Sequence, residues 1–197
     1  MDSADAYERH ARDFMRSRDR SQVGVQVVTQ WARSLEPSSA VLEIACGGGL
    51  PVTQTLVDAG LRVWAIDSSP TLVAVFQQRF PHIPIQCARL QDSDCFQRKY
   101  DAAISVGLIF LLDEIDQFRM LDRISDRLRP GASFLFTAPF EVGTWIDIST
   151  GHTCVSLGRD VYECALARAG FRAIGRYEDQ GGNNYYEAKK VADSMFA

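Results

Sequence analysis

The run Val41-Leu42-Glu43-Ile44-Ala45-Cys46-Gly47-Gly48-Gly49 decides the fold. A short apolar strand, Val41–Ala45, opens straight into three glycines, and Pro51 then can start a helix. At such a strand-to-helix turn, residues without side chains let backbone N–H groups approach a ligand closely. The helix N-terminus beyond favours a carboxylate or a phosphate. Twenty residues after Gly47 stands Asp67, at the end of Arg62-Val63-Trp64-Ala65-Ile66, where a carboxylate can grip two vicinal hydroxyls. An adenosine is implied, and on these residues alone a dinucleotide fits equally well.

Working outward, β-rich runs alternate with stretches of helical period, the pattern of strand-helix-strand units in a largely parallel sheet. The strand candidates are Val41–Ala45, Arg62–Ile66, Pro84–Cys87, Asp101–Val106, Ser133–Ala138, Phe171–Tyr177 and Tyr185–Val191. From Glu114 to Arg129, the residues Ile115, Phe118, Leu121, Ile124 and Leu128 form one helical stripe, which Arg129-Pro130-Gly131 ends. Only Glu178 to Asn184 separates the last two strands, too short for a helical crossover, so they pair as an antiparallel hairpin. Ahead of the first strand, Val23, Val27, Trp31 and Leu35 mark a helix, and Glu36-Pro37-Ser38-Ser39 turns the chain into the sheet.

With 197 residues and 46% apolar content, one domain can bury a full core. There is no run of 18 apolar residues, and the charged first twenty residues do not resemble a signal peptide, so a soluble cytosolic protein is expected. The five cysteines are odd in number and widely spaced, with no C-x-x-C pair, which suggests neither a disulfide framework nor a zinc site. A formal charge of −4 argues against a nucleic-acid-binding surface. The basic run Arg9 to Arg20, interleaved with Asp13 and Asp19, reads as the solvated face of a helix.

Glu43-Ile44-Ala45-Cys46-Gly47-Gly48-Gly49 resembles the acidic-x-Gly-x-Gly-x-Gly signature of class I S-adenosylmethionine methyltransferases, with the acid inside the strand where dinucleotide folds place none. The resemblance runs through Ile66-Asp67-Ser68-Ser69-Pro70, Tyr100–Ser105, Leu128-Arg129-Pro130-Gly131-Ala132 and the terminal hairpin, covering residues 38 to 191. It implies an α/β, Rossmann-like domain over residues 37–197, with a mostly parallel seven-stranded sheet, a C-terminal antiparallel hairpin and a helical lid over residues 1–36. S-adenosyl-L-methionine is the implied cofactor and S-adenosyl-L-homocysteine its product. Glu43 would order the turn and the cofactor's amino group, and the backbone of Ala45, Cys46, Gly47 and Gly49 would run along its methionine part. Asp67 and Ser68 would hold the ribose, Arg89 and Leu90 would border the adenine, and Val106 and Gly107 would face the amino-acid end.

Two residues depart from the family pattern. Ala45 stands where the first glycine is usual, so the backbone there must keep φ negative or accept strain. Arg89 stands where an Asp often accepts a hydrogen bond from the adenine amino group. A cation cannot accept it, which leaves backbone near Leu90, stacking, or Asp92.

Ligands in open α/β sheets sit outside the carboxyl ends of the strands. The long loop Pro139 to Leu157, with Glu141, Trp145, Asp147, His152 and Cys154, is therefore expected to wall an acceptor pocket. His152 and Asp147 are the candidate general bases. Tyr7 and Phe14 resemble the lid helix of small-molecule members, and Tyr185 lies beside a hairpin loop, Gln180 to Tyr186, that returns toward the same rim. Tyr7, Phe14, Trp145 and Tyr185 are thus the expected acceptor contacts. Methyl transfer from a sulfonium is an in-line displacement that needs alignment and exclusion of water above all. Ser105-Val106-Gly107-Leu108 replaces the motif with which amino-methylating DNA enzymes hold a flipped base, and Phe110 stands where some relatives carry a histidine. The expected partner is a small-molecule acceptor, with no nucleic acid and no membrane, for a monomer or homodimer. The competing readings are a non-catalytic cofactor-binding module and a dinucleotide-dependent oxidoreductase.

Overall fold

A computed structural model describes residues 3–148 and 150–192. Residues 1, 2, 149 and 193–197, which fall at the ends of the two expected segments and within the expected acceptor loop, lie outside the described residues. The elements run α1 (Ser3–Arg18), α2 (Val25–Ser34), β1 (Ala40–Ile44), α3 (Val52–Asp58), β2 (Arg62–Asp67), α4 (Pro70–Arg79), β3 (Ile85–Cys87), β4 (Tyr100–Ser105), α5 (Glu114–Arg127), β5 (Leu128–Thr137), β6 (Val142–Ile146), β7 (Thr153–Leu157), α6 (Arg159–Arg168), β8 (Phe171–Glu178) and β9 (Asn184–Lys190).

Seven strands form one sheet in the order β3-β2-β1-β4-β5-β9-β8. The first five run parallel and the last two pair antiparallel, as the short Glu178–Asn184 connection requires. Ile44 at the end of β1 lies in register with Ile66 of β2 and Ser105 of β4. The strand order reverses between β1 and β4, so the crevice outside their carboxyl ends is the topological switch point where such sheets bind ligands.

Both faces of the central strands are covered. On one side Leu42, Ile44, Ala103, Phe134 and Phe136 pack with Leu121 and Ile124 of α5 and Tyr162 and Leu166 of α6. On the other, Val41, Ile104 and Leu135 pack with Val27, Val28 and Trp31 of α2 and Leu56 of α3. Each fully buried Leu, Ile or Phe contributes about 1.5–3 kcal/mol. Trp31 also donates its indole N–H to Ser133 Oγ at 2.8 Å, which ties α2 to β5. The second helix is therefore core and not cover.

Two local expectations are corrected, and at Ala45 one of two alternatives is decided. The loop from Pro139 to Leu157 contains an antiparallel hairpin, β6 with β7, in which Trp145 pairs with Cys154. Its alternation of Val142, Thr144 and Ile146 outward with Gly143 and Trp145 less exposed is the two-residue period of a strand. The fifth strand starts at Leu128, ahead of Ser133, because Arg129-Pro130-Gly131 extends it past an irregularity opposite Tyr100/Ala102. Ala45 takes the left-handed conformation, φ 58°, and so accepts strain of about 1–2 kcal/mol. Its N–H donates to the Ile66 carbonyl at 2.8 Å, which fixes it there.

Candidate active site

The crevice at the switch point is a cleft of about 930 Å³. Pockets for one drug-sized ligand measure about 300–1,000 Å³. The upper end of that range leaves room for a nucleoside cofactor with a small second molecule.

Asp67 organises its floor. One carboxylate oxygen accepts the Gly47 N–H at 2.7 Å and the other the Ser69 N–H at 2.9 Å. Each oxygen keeps a lone pair for a further donor. Burial raises the Asp67 carboxyl above its usual range, opposed by these backbone hydrogen bonds. Ser68, Arg89 and Leu90 line the same end. The Leu90 carbonyl accepts from Arg123 Nε at 2.7 Å, and Asp92 does not reach the cleft.

Glu43 lies behind the turn, fully buried, and accepts from Thr53 Oγ1 at 2.6 Å. Burial pushes its carboxyl up to about 8; the Thr53 bond and nearby Arg18 oppose that rise, and Asp67 adds to it.

The three glycines have three different surroundings. Gly47, φ 57°, lies beneath the Phe14 ring. A Cβ on Gly48 would sit 3.0 Å from Arg79 Nη1, and one on Gly49, φ 87°, would collide with Phe80 at 2.3 Å. Gly49 therefore faces the Phe76–Phe80 cluster and not the cleft. Cys46 likewise turns away, into a small cavity of about 40 Å³ shared with Glu43 and Gly48.

The first helix roofs the cleft. Ala4, Tyr7, Phe14 and Arg18 line it from above, with the Tyr7 and Phe14 rings edge to face at 5.4 Å. Arg18 corrects the reading of this run as a solvated face: it is half-buried, donates to the Val23 carbonyl at 3.1 Å and faces Tyr185, Asp179 and Glu43. The signal was available in the spacing, because positions 4, 7, 11, 14 and 18 make one helical stripe.

At the other end, Gly107 donates its N–H to Thr137 Oγ1 at 2.7 Å, and Val106, Phe110, Leu111, His152 and Val155 line the wall. His152 Nε2 lies 3.0 Å from the Leu111 carbonyl. A carbonyl only accepts, so the proton sits on Nε2 and Nδ1 is the basic nitrogen. Asp147 does not line the cleft; it accepts from Tyr7 Oη at 2.9 Å and Thr150 Oγ1 at 3.0 Å. Trp145 also stands outside, 5.5 Å behind Phe110. Tyr185 is buried at the floor, its hydroxyl donating to Asp179 at 3.1 Å.

Residues 41–131 match the family model described as a methyltransferase domain. Over those residues, just under half of the chain, it is similar to methyltransferase domains. No curated protein matches the chain significantly in sequence. Among solved structures it is similar to the 1,6-didemethyltoxoflavin-N1-methyltransferase of Burkholderia thailandensis with bound 1,6-didemethyltoxoflavin and S-adenosylhomocysteine, at 17% identity and TM-score 0.74 over 92% of this chain and 87% of that one. It is also similar to a glycopeptide N-methyltransferase complexed with S-adenosyl-L-homocysteine, at 19% identity and TM-score 0.69 over 85% and 90%. A third is an amino pentose methyltransferase of Micromonospora echinaspora bound to S-adenosylmethionine, at 15% identity and TM-score 0.69 over 85% and 90%. The α/β architecture with its mostly parallel seven-stranded sheet is thus that of the Rossmann-like methyltransferases. Among the described residues no helix is long and apolar enough to cross a membrane.

Proposed function

We propose that this chain is a methyltransferase that binds S-adenosylmethionine in the switch-point cleft and passes its methyl group to a small protic acceptor at nitrogen or oxygen. The observation that carries the reading is Asp67: it bridges β2 to the glycine turn through the Gly47 N–H and still presents acceptor capacity to the cleft. That is the chemistry a ribose diol needs. The cofactors bound in the three similar structures support the same choice.

In this reading the ribose rests on Asp67 and Ser68. The adenine lies by Arg89 and Leu90, where the Leu90 N–H is the donor because its carbonyl is engaged by Arg123. The methionine part runs over Ala45 and Gly47 toward Val106 and Gly107, its carboxylate facing Arg18 and its ammonium drawn toward Glu43. The methyl group then points at the wall formed by Tyr7, Phe110 and His152. Phe110, backed by Trp145, and Phe14 exclude water from an in-line displacement whose leaving group is already activated. His152 Nδ1 takes the acceptor's proton, and Asp147 holds Tyr7 in place. The cap is confined to α1, since α2 is part of the core. Reduced, unpaired cysteines fit a cytosolic enzyme.

A thermal-shift comparison tests the cofactor. S-adenosylmethionine and S-adenosylhomocysteine are expected to raise Tm, because a ligand that binds only the folded state stabilises it. A rise with nicotinamide dinucleotides and none with either would contradict the reading.

A further inference from the structure

Two chains of polar contacts lead to the roof helix, one from the Gly48 carbonyl behind the glycine turn and one from Asp67 on the cleft floor, and neither ends on a residue that lines the cleft. In the first, Arg79 at the end of α4 donates from Nη1 to the Gly48 carbonyl at 3.0 Å. The same guanidinium forks onto Asp19, just past α1, with Nη1 to Oδ1 at 2.9 Å and Nη2 to Oδ2 at 2.5 Å. In the second, Asp67 accepts the Ser69 N–H at 2.9 Å, and the Ser69 hydroxyl donates to Glu8 of α1. Glu8 also accepts from Thr71 Oγ1 at 2.6 Å and from the Thr71 N–H at 3.3 Å, at the N-terminus of α4 where an anion is favoured. The roof helix is therefore clamped to both ends of α4. It also approaches the turn itself, where Phe14 and Met15 line one small cavity with Gly47 and Gly48.

We propose that Arg79, with Asp19, couples the seating of α1 to occupancy of the cofactor crevice, and that Glu8 and Ser69 do the same at the ribose end. These are positioning residues. The inference rests on the assignment of the cleft to S-adenosylmethionine. The physical basis is a bidentate arginine–carboxylate fork, which has one good geometry, shared with the carbonyl of the middle glycine. When the turn is fixed by ligand, Gly48 holds Arg79 where Asp19 can meet it. When Asp19 is released, Arg79 and the turn lose that restraint together. Linkage makes the effect reciprocal: a cofactor that favours the seated helix is bound more tightly by it.

The test measures S-adenosylhomocysteine affinity by calorimetry and amide exchange over residues 3–18, in wild type, Asp19→Asn, Arg79→Gln and the double variant. In wild type the ligand is expected to slow exchange of α1. Asp19→Asn, whose side chain is about a quarter exposed, should leave the fold intact, speed that exchange and raise Kd by about 5-fold or more, the lower end of typical coupling. In the Arg79→Gln background Asp19→Asn should add nothing, since its partner is already gone. Glu8→Gln, at the opposite end, should reproduce the loss of ligand-induced protection even where an Arg79 variant folds poorly. A faster-exchanging α1 with Kd within two-fold of wild type would overturn the coupling, as would an additive double variant. A wild type that fails to bind at all brings down the cofactor reading as well, which separates the two failures.

Discussion

Tyr7 on the first helix donates its hydroxyl to Asp147, in the turn between β6 and β7, at 2.9 Å. The roof of the cleft and the acceptor wall are thus joined by one hydrogen bond between segments 140 residues apart in sequence. Burial and the Asp147 charge raise the Tyr7 hydroxyl far above its ordinary value, so it stays a donor throughout the working pH range.

Tyr7→Phe keeps the ring against Phe14 and removes only this bond. Losing a hydrogen bond to a charged group costs about 1.5–3 kcal/mol. The acceptor's KM is expected to rise by about ten-fold or more while kcat changes little; steady-state kinetics with both substrates varied checks it. A fall in kcat at constant KM would assign Tyr7 to the chemistry instead.

His152→Ala is expected to lower kcat by about 10²-fold at neutral pH with cofactor affinity unchanged, since a placed base contributes on that order. The deficit should shrink as rising pH ionises the acceptor without help. Single-turnover rates across pH read this directly, free of product release. Full activity at neutral pH would remove His152 Nδ1 from proton transfer.

Glu43 makes the unliganded fold sensitive to pH. Its folded value, about 8, lies above the ordinary 4.5, so the folded state holds the proton that the unfolded chain releases. Stability from this group is therefore full below about 4.5 and falls as pH rises toward 8. Melting curves of wild type should decline over that window relative to Glu43→Gln. A cationic cofactor favours the ionised form, so its binding near pH 7.5 should release a proton, seen as buffer-dependent heat that Glu43→Gln lacks.

Ala45→Gly relieves the left-handed strain at φ 58° but adds unfolded-state entropy. The first term is about 1–2 kcal/mol and the second about 0.4–1 kcal/mol, so a net gain of between about 0 and about 1.6 kcal/mol is expected. Urea unfolding measures it, and a loss would show that the methyl group packs productively.

Most of the fold was legible because its signals are local. Seven strands announced themselves by apolar runs between turns, and the short Glu178–Asn184 link fixed the hairpin. The Glu43, glycine-turn and Asp67 spacing pointed to the crevice in the same way. What the sequence hid depends on contacts across long separations. Gly49 read as ligand-facing, yet its lack of a side chain is required by Phe80 and by its φ of 87°. Asp147 read as a base, but only the packing of α1 reveals Tyr7 as its partner. The β6–β7 hairpin escaped notice because its outward face carries Val142 and Ile146, so no apolar-inward stripe distinguishes it from a loop. Arg18 was masked by neighbouring charges, although its spacing from Tyr7 and Phe14 places it on the cleft face.

The most direct test of the central claim is calorimetric titration of S-adenosylhomocysteine into wild type and Asp67→Ala. Wild type is expected to bind, and the variant to bind more weakly by about 1–3 kcal/mol, the cost of a lost charged acceptor. Equal affinities, with the variant's fold intact, would place the ribose elsewhere and contradict the account.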